Sequence, residues 1–207
     1  MIDFIAGIVA SDGHLDKDSK RIRIISKNKI FLEEIISPIL KEITHKNVKI
    51  YSDISGFGKV RYVLSINEKN LWNILVEKYN IPPGKKADRI KPPHHLSFEE
   101  QIEYVKGWFA GEGSPSRDVH KKHGKVYTFP QVEIWIKNES MIFWIHDILR
   151  QIGIFSTVFY SKKKKQWLLL IRRKESLNIF KEKIDFLHPI KAKKFENLLR
   201  YPRISTS

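Results

Sequence analysis

Phe4-Ile-Ala-Gly-Ile-Val-Ala10 is apolar without a break, and 98–111, with polar residues in its first turns, ends on the apolar run Gly107-Trp-Phe-Ala-Gly111; both predict helices that bury an apolar face, at 3–11 and 98–111. After each, the pattern changes to alternation. Arg21-Ile-Arg-Ile24, Lys49-Ile-Tyr51 and Lys59-Val-Arg-Tyr-Val-Leu-Ser-Ile66 follow the first helix; Gln131-Val-Glu-Ile-Trp-Ile136, Val158-Phe-Tyr160 and Gln166 to Ile171 follow the second. A period of two predicts strands with one buried face. Helices are expected at about 28–43, 67–79, 138–152 and 173–184. Ser97-x-x-Glu100 is a capping box for the second apolar helix, Asp3 is the expected N-cap of the first, and Gly13 and Gly113 are expected to close them in a left-handed conformation. Pro82, Pro83, Gly84, Pro92 and Pro93 interrupt every pattern, so 80–97 reads as a connection whose core is 89–97.

The two halves repeat one another. Gly7 and Gly107, Ala10 and Ala110, Asp12 and Glu112, and Gly13 and Gly113 are each 100 residues apart. Ile25-Ser-Lys-Asn28 returns as Trp135-Ile-Lys-Asn138 at a spacing of 110, and Ile39-Leu-Lys-Glu-Ile43 as Ile148-Leu-Arg-Gln-Ile152 at 109. Val63-Leu-Ser-Ile66 resembles Leu168-Leu-Leu-Ile171. A spacing that jumps and then drifts means one frame with loop insertions, chiefly the polar stretch 114–130. Two copies form an internal pseudo-dimer, not a solenoid. The expected fold class is α+β: tandem αββαββα repeats, the first over 1–88 and the second over 98–207.

Charge narrows the partners. Lys and Arg number 38 against 23 Asp and Glu, a net charge of +15, which favours a polyanion because neutralised phosphates release counterions. A ribosomal protein would share that balance. With no cysteine, disulfides, Cys-ligated zinc and a thiol nucleophile are excluded. The N-terminal apolar run is short, carries Asp3 where a signal peptide is positive, and runs into Ser-Asp-Gly, so the expected setting is intracellular (cytoplasm, nucleoid or organelle), with no membrane partner.

Within each apolar helix two small residues stand four apart, Gly7 and Ser11, then Gly107 and Gly111. That spacing strips bulk from one helix face and lets two helices approach backbone to backbone. A carboxylate follows each second small residue, Asp12 and Glu112. One acid at a helix C-terminus is unremarkable and faces an unhelpful dipole. Two at the same step of two glycine-faced helices suggest a pair that a divalent cation would hold together.

Residues 5–13 and 105–113 resemble the nine-residue signature of the LAGLIDADG homing endonucleases, with its acidic position on Asp12 and Glu112. The resemblance extends to the αββαββα order of each copy, while Lys106 and Trp108 depart from the first copy's aliphatic pattern. It implies two saddle-shaped antiparallel sheets, helices on one face, that straddle the major groove of double-stranded DNA. It implies a monomer with internal pseudo-dimer symmetry that cuts one phosphodiester per strand across the minor groove and leaves 3′ overhangs. It also implies Mg²⁺ held by Asp12 and Glu112 with the main-chain carbonyls of Ser11 and Gly111, Mn²⁺ substituting and Ca²⁺ binding without cleavage. A lysine near the start of each copy's last helix completes such sites; the candidates are Lys85 or Lys86, and Lys193. Ser26 and Ile136 occupy the positions of a water-ordering residue, which Ile136 cannot be, so unequal cutting by the two centres is expected.

Strand alternation supplies the reading surface. Arg21, Arg23, Lys59 and Arg61 should point away from the core while Val60, Tyr62 and Leu64 pack inward; Gln131, Glu133 and Trp135 should share the second open face. Arg suits guanine, Gln adenine and Glu the cytosine amine. Lys27, Lys49, Lys137, Lys162 and Lys163 are candidate backbone contacts. His120-x-x-His123 has the spacing of a zinc pair but no second pair, and zinc is rejected. His94-His95 lacks the partners of a ββα-metal nuclease. Two alternatives on the same fold are an RNA maturase, with intron RNA as partner, and a DNA-binding regulator that does not cut. The retained acids favour the enzyme. An intein would need splicing segments for which a motif beginning at residue 5 leaves no room.

Overall fold

A computed structural model describes residues 1–54, 58–122 and 125–200, so His123 lies outside the described residues. The chain forms two compact units, Met1–Gly111 and Glu112–Ser207.

The first unit opens with α1 (Ile2–Asp12), then β1 (Gly13–Leu15), β2 (Arg21–Ser26), a π-helical turn (Phe31–Ile36) running into α2 (Ser37–Thr44), β3 (Lys49–Ile54), β4 (Val60–Asn67), α3 (Lys69–Glu77) and α4 (Phe98–Gly111). Its sheet is antiparallel in the order β1-β2-β4-β3. Register puts Leu15, Ile22 and Ile66 in one row and Ile24, Leu64 and Ile50 in the next. These rows face the helices: Leu15, Ile22, Ile24, Leu64 and Ile66 are buried together with Phe4, Ile5 and Ile8 of α1 and Leu71 and Leu75 of α3. α4 is the first helix of the second sequence copy, yet it belongs to this unit because its glycine face packs along α1.

In the second unit β5 (Ser114–Lys122) and β6 (Lys125–Ile136) form a long hairpin, followed by α5 (Glu139–Gln151), β7 (Thr157–Ser161), β8 (Gln166–Ile171), α6 (Lys174–Lys183) and α7 (Pro189–Arg200). The sheet order, β5-β6-β8-β7, reproduces the first. Val132, Ile134, Leu169 and Ile171 turn inward against α5, whose Met141, Ile142, Ile145, Ile148 and Leu149 are buried. Phe180, Phe186 and Phe195, from α6, the turn after it and α7, close a second cluster, with ring centroids 5.3–5.6 Å apart.

Several expectations need correction. The polar stretch 114–130 is not a loop but most of a hairpin: its backbone pairs from Ser114↔Glu133 to Lys122↔Lys125. Much of it extends past the core, so its sequence lacks a buried face to alternate with. Asp3 lies inside the first turn of α1 and accepts the Tyr79 hydroxyl at 2.7 Å instead of capping the helix. Gly13 is extended (φ −88, ψ 173), not left-handed. Glycine is needed there for space, since a Cβ would lie 2.5 Å from Val9 Cα. Val60 is 55 % exposed instead of packed, because it pairs with Ile54 at the free end of the β3–β4 hairpin. The Ser97 capping box does form: Ser97 N donates to Glu100 Oε2 at 2.8 Å and Glu100 N to Ser97 Oγ at 3.3 Å.

Candidate active site and nucleic-acid interface

The helix seam explains the small residues. A Cβ on Gly7 would overlap the Tyr104 carbonyl oxygen and lie 2.9 Å from Gly107 Cα; one on Gly107 would overlap the Phe4 carbonyl and lie 2.7 Å from Gly7 Cα. The two backbones touch because neither glycine carries a side chain. One turn further along, a Cβ on Gly111 would overlap Ser11 Oγ and sit 3.2 Å from Asp12 Oδ2. The Asp12 carboxylate therefore lies against the end of α4, beside the residue that precedes Glu112. Ser11 donates its hydroxyl to the Ile8 carbonyl at 3.1 Å, within the last turn of α1. Ser11, Asp12 and Gly111 are half-buried and Glu112 is exposed.

The lysine at this helix end is Lys86, not Lys85. Lys86 Nζ donates to the main-chain carbonyls of Val9, which also accepts Gly13 N, and of Gly13, placing a cation at the negative end of the α1 dipole. Lys85 points to solvent, its carbonyl accepting Arg89 Nε at 2.7 Å. The same frame bears on Lys193. Asn80 and Asp185, the left-handed residues after α3 and α6 (φ 53 and 50), are 105 apart, as are the buried Ile90 and Phe195. At that offset Lys86 corresponds to Lys191, which is half-buried, whereas Lys193 is exposed beside Arg117 and Lys194 in a groove of about 610 Å³ between α7 and β5. The left-handed Asn and Asp were the available signal, but neither sequence position announces its backbone conformation.

On the first sheet's open face one row crosses all four strands: His14, Arg23, Ser65 and Lys49. Arg21 pairs with Asn67, and Arg61 with Asp53. Arg21, Lys46, Lys49, Tyr51, Ser65 and Asn67 line a groove of about 470 Å³. Neither the Arg21 nor the Arg23 guanidinium donates a hydrogen bond among the described residues. Arg61 differs: its Nε and Nη2 both reach Asp53 Oδ2, at 2.9 and 2.5 Å, and the guanidinium holds that carboxyl below the ordinary aspartate range. Burial and the charge of Arg23 lower the pKa of His14, with Asp16 opposing them.

The second open face carries Gln131, Glu133 and Trp135, with Leu168, Leu170, Thr157 and Phe159 beside them. Gln131 is only 7 % exposed and is committed internally, donating to Ser116 Oγ at 3.0 Å and accepting Arg172 Nε at 3.1 Å. Lys164 Nζ stands 3.5 Å above the Trp135 ring, which fastens the lysine-rich turn down, while Lys162 and Lys163 remain exposed. Lys27 and Lys137 are exposed just before Asn28 and Asn138, whose side chains accept from Phe31 N (3.4 Å) and Met141 N (3.0 Å) at the starts of the next helices. Ser26 Oγ accepts Asn28 N at 3.0 Å; Ile136 faces the core. Among the described residues no group of three or more His, Cys, Asp or Glu is arranged to hold a metal, and no helix is long and apolar enough to cross a membrane.

Tandem αββαββα copies, with a glycine seam between their first helices and an acid after each, define a LAGLIDADG protein. A family model described as a LAGLIDADG-like domain matches residues 99–185. The chain is 30% identical over 198 residues to the homing endonuclease I-ApeI of Aeropyrum pernix, spanning 92% of this chain and 84% of that protein. It is 21% identical over 196 residues to the homing endonuclease I-DmoI of Desulfurococcus mucosus, spanning 90% and 85%. The structure of I-DmoI in complex with DNA and calcium aligns with a TM-score of 0.64 at 17% identity, over 95% of this chain and 96% of that one. The chain belongs to the LAGLIDADG homing-endonuclease family.

Proposed function

We propose that this protein is a site-specific, double-strand DNA endonuclease that acts as a single chain, inside the cell, on a long duplex site. The observation that carries this reading is the Asp12 carboxylate lying against Gly111 at the end of a seam built for contact between glycines. Asp12 and Glu112 act as one acidic pair, and the carbonyls of Ser11 and Gly111 add two further oxygens. An all-oxygen donor set fits a hard divalent cation, and Mg²⁺ is the ion we assign, with Mn²⁺ as a substitute. When bound, such an ion supplies Lewis acidity toward the phosphate and lowers the pKa of water.

The chain's own residues then do the following. Arg21, Arg23 and the lysines of the first open face bind and orient the duplex. Asp12 and Glu112, with the Ser11 and Gly111 carbonyls, would hold the divalent cation; the proposed outcome is hydrolysis of one phosphodiester per strand, water adding to phosphorus as the 3′ oxygen leaves, with 3′ overhangs. Lys86 fixes the end of α1, and with it the direction of Asp12; Lys191 has the matching place in the second copy. Ser26 offers a hydroxyl that Ile136 lacks, so the two strands are cut at unequal rates.

Asp12→Asn and Glu112→Gln test the assignment. Each should lower double-strand cleavage in Mg²⁺ by about 10²–10³-fold or more, the scale of losing a main electrostatic stabiliser. Duplex affinity measured in Ca²⁺, where binding without cleavage is expected, should stay within about threefold, since a factor of that size is under 1 kcal/mol. Cleavage at the parent rate by either variant rejects the acidic pair.

A further inference from the structure

The two open faces can be compared residue by residue, because register fixes which positions correspond. The row His14, Arg23, Ser65, Lys49 of the first sheet becomes Ser114, Glu133, Leu170, Thr157 in the second. Ile25, Val63 and Tyr51 become Trp135, Leu168 and Phe159. Where the first face has a guanidinium, the second has a carboxylate, and where it has a lysine, a threonine.

Hydrogen-bonding capacity differs as well. Among the described residues Arg21 and Arg23 donate no side-chain hydrogen bond; Arg21 is exposed, while the Nε of the half-buried Arg23 is buried without a partner. On the second face Gln131 is held by Ser116 and Arg172, and Arg172 also stands 3.4 Å from Asp118, which His120 contacts at 3.0 Å. That face still exposes three aromatic rings, Phe159 at 44 % with Tyr127 and Phe129 further along β6 on the same side, beside Arg172 and His120 side chains already engaged with Gln131 and Asp118. In the major groove, paired donors suit guanine O6 and N7, and apolar surface suits the thymine methyl.

We propose that the two sheets read chemically different half-sites: the first selects guanine through Arg21 and Arg23, and the second selects the thymine methyl through Phe159, Tyr127 and Phe129, with Glu133 accepting from one cytosine amine. This rests on the reading of the protein as a DNA endonuclease and adds a base class to each half of its site.

A randomised duplex library, selected once by retention on the protein in Ca²⁺ and once by cleavage in Mg²⁺, tests it. Sequenced survivors should be guanine-rich in one half and thymine-rich in the other. Uracil in place of thymine, which removes only the methyl, should weaken binding about fourfold per contacted base in the thymine half, from ~0.8 kcal/mol per buried methyl-sized group, and leave the other half unaffected. 7-Deazaguanine should act only in the guanine half, by about fivefold or more. Arg23→Ala should erase guanine enrichment and leave the uracil effect; Phe159→Ala should do the reverse. Equal uracil sensitivity in both halves, or none in either, overturns the proposal. Retention with this asymmetry but no cleavage would uphold it while rejecting the endonuclease reading; cleavage without the asymmetry would do the opposite.

Discussion

Arg21 and Gln131 occupy the same place in their sheets, next to Asn67 and near Arg172 respectively, and their fates diverge. Arg21 is exposed at the edge of a cationic groove; Gln131 is buried under its neighbours. The cause is local. In the second copy β5 runs on to Lys122, bringing Ser116 and Asp118 alongside β6, whereas β1 stops at Leu15 and leaves the first face open. A longer edge strand thus converts an exposed position into a buried, hydrogen-bonded one without changing the strand order. The tandem units also differ at their ends: Pro83 of the first copy corresponds, at the 105 offset, to His188 of the second, which is buried.

That contrast can be broken in four places. Removing both Arg21 and Arg23 as alanines should cost about 10²-fold or more in duplex affinity in Ca²⁺, from ~1–3 kcal/mol per guanidinium contact; a loss under threefold would mean that the first face does not read bases. His188 should make the second unit acid-sensitive. Burial, with Lys191 adding to it, pushes its pKa down to about 4 from the ordinary 6.5, so the fold prefers the neutral ring. A depressed folded value means that this stability is fully present above pH 6.5 and is lost as pH falls toward 4, about 3 kcal/mol in all. Hydrogen exchange of the second unit should show that loss, and His188→Gln should flatten it there while leaving the first unit's own acid response, from groups such as His14 and Asp53, unchanged; an unaltered profile of the second unit in the variant would remove the contrast.

Gln131→Ala should lower unfolding free energy by about 1–3 kcal/mol, because Arg172 and Ser116 lose a partner at a buried site, while affinity changes little. The reverse outcome, unchanged stability with weakened binding, would make Gln131 a base contact after all. Arg61→Ala is the mildest. Its pair with Asp53 leaves the two side chains 38% and 40% exposed, so chemical denaturation should register less than about 1 kcal/mol.

Much of the architecture was legible in the chain because it follows from periodicity. The alternation at 21–24 and 131–136 placed Ile22, Ile24, Val132 and Ile134 inward, and the spacings of 110 and 105 between copies reappear as register: Ile25 with Val63, and Trp135 with Leu168. The failures share a cause too. β1 has three residues, too few for a period to show, and the outer part of the β5–β6 hairpin lies where no core imposes one. The helix α7 was missed as an element because its lysines obscure the two residues it buries, Phe195 and Leu198.

Local chemistry sufficed for the repeat, the glycine spacing and the acid that follows it, since these depend on neighbours a few residues away. Which lysine reaches the end of α1, and which open-face side chains are already occupied, depended on contacts between residues 15 to 77 positions apart, such as Gln131 with Ser116 and Lys86 with Val9. A hydrogen bond between distant residues leaves no period in the chain, so only the folded structure could assign those roles.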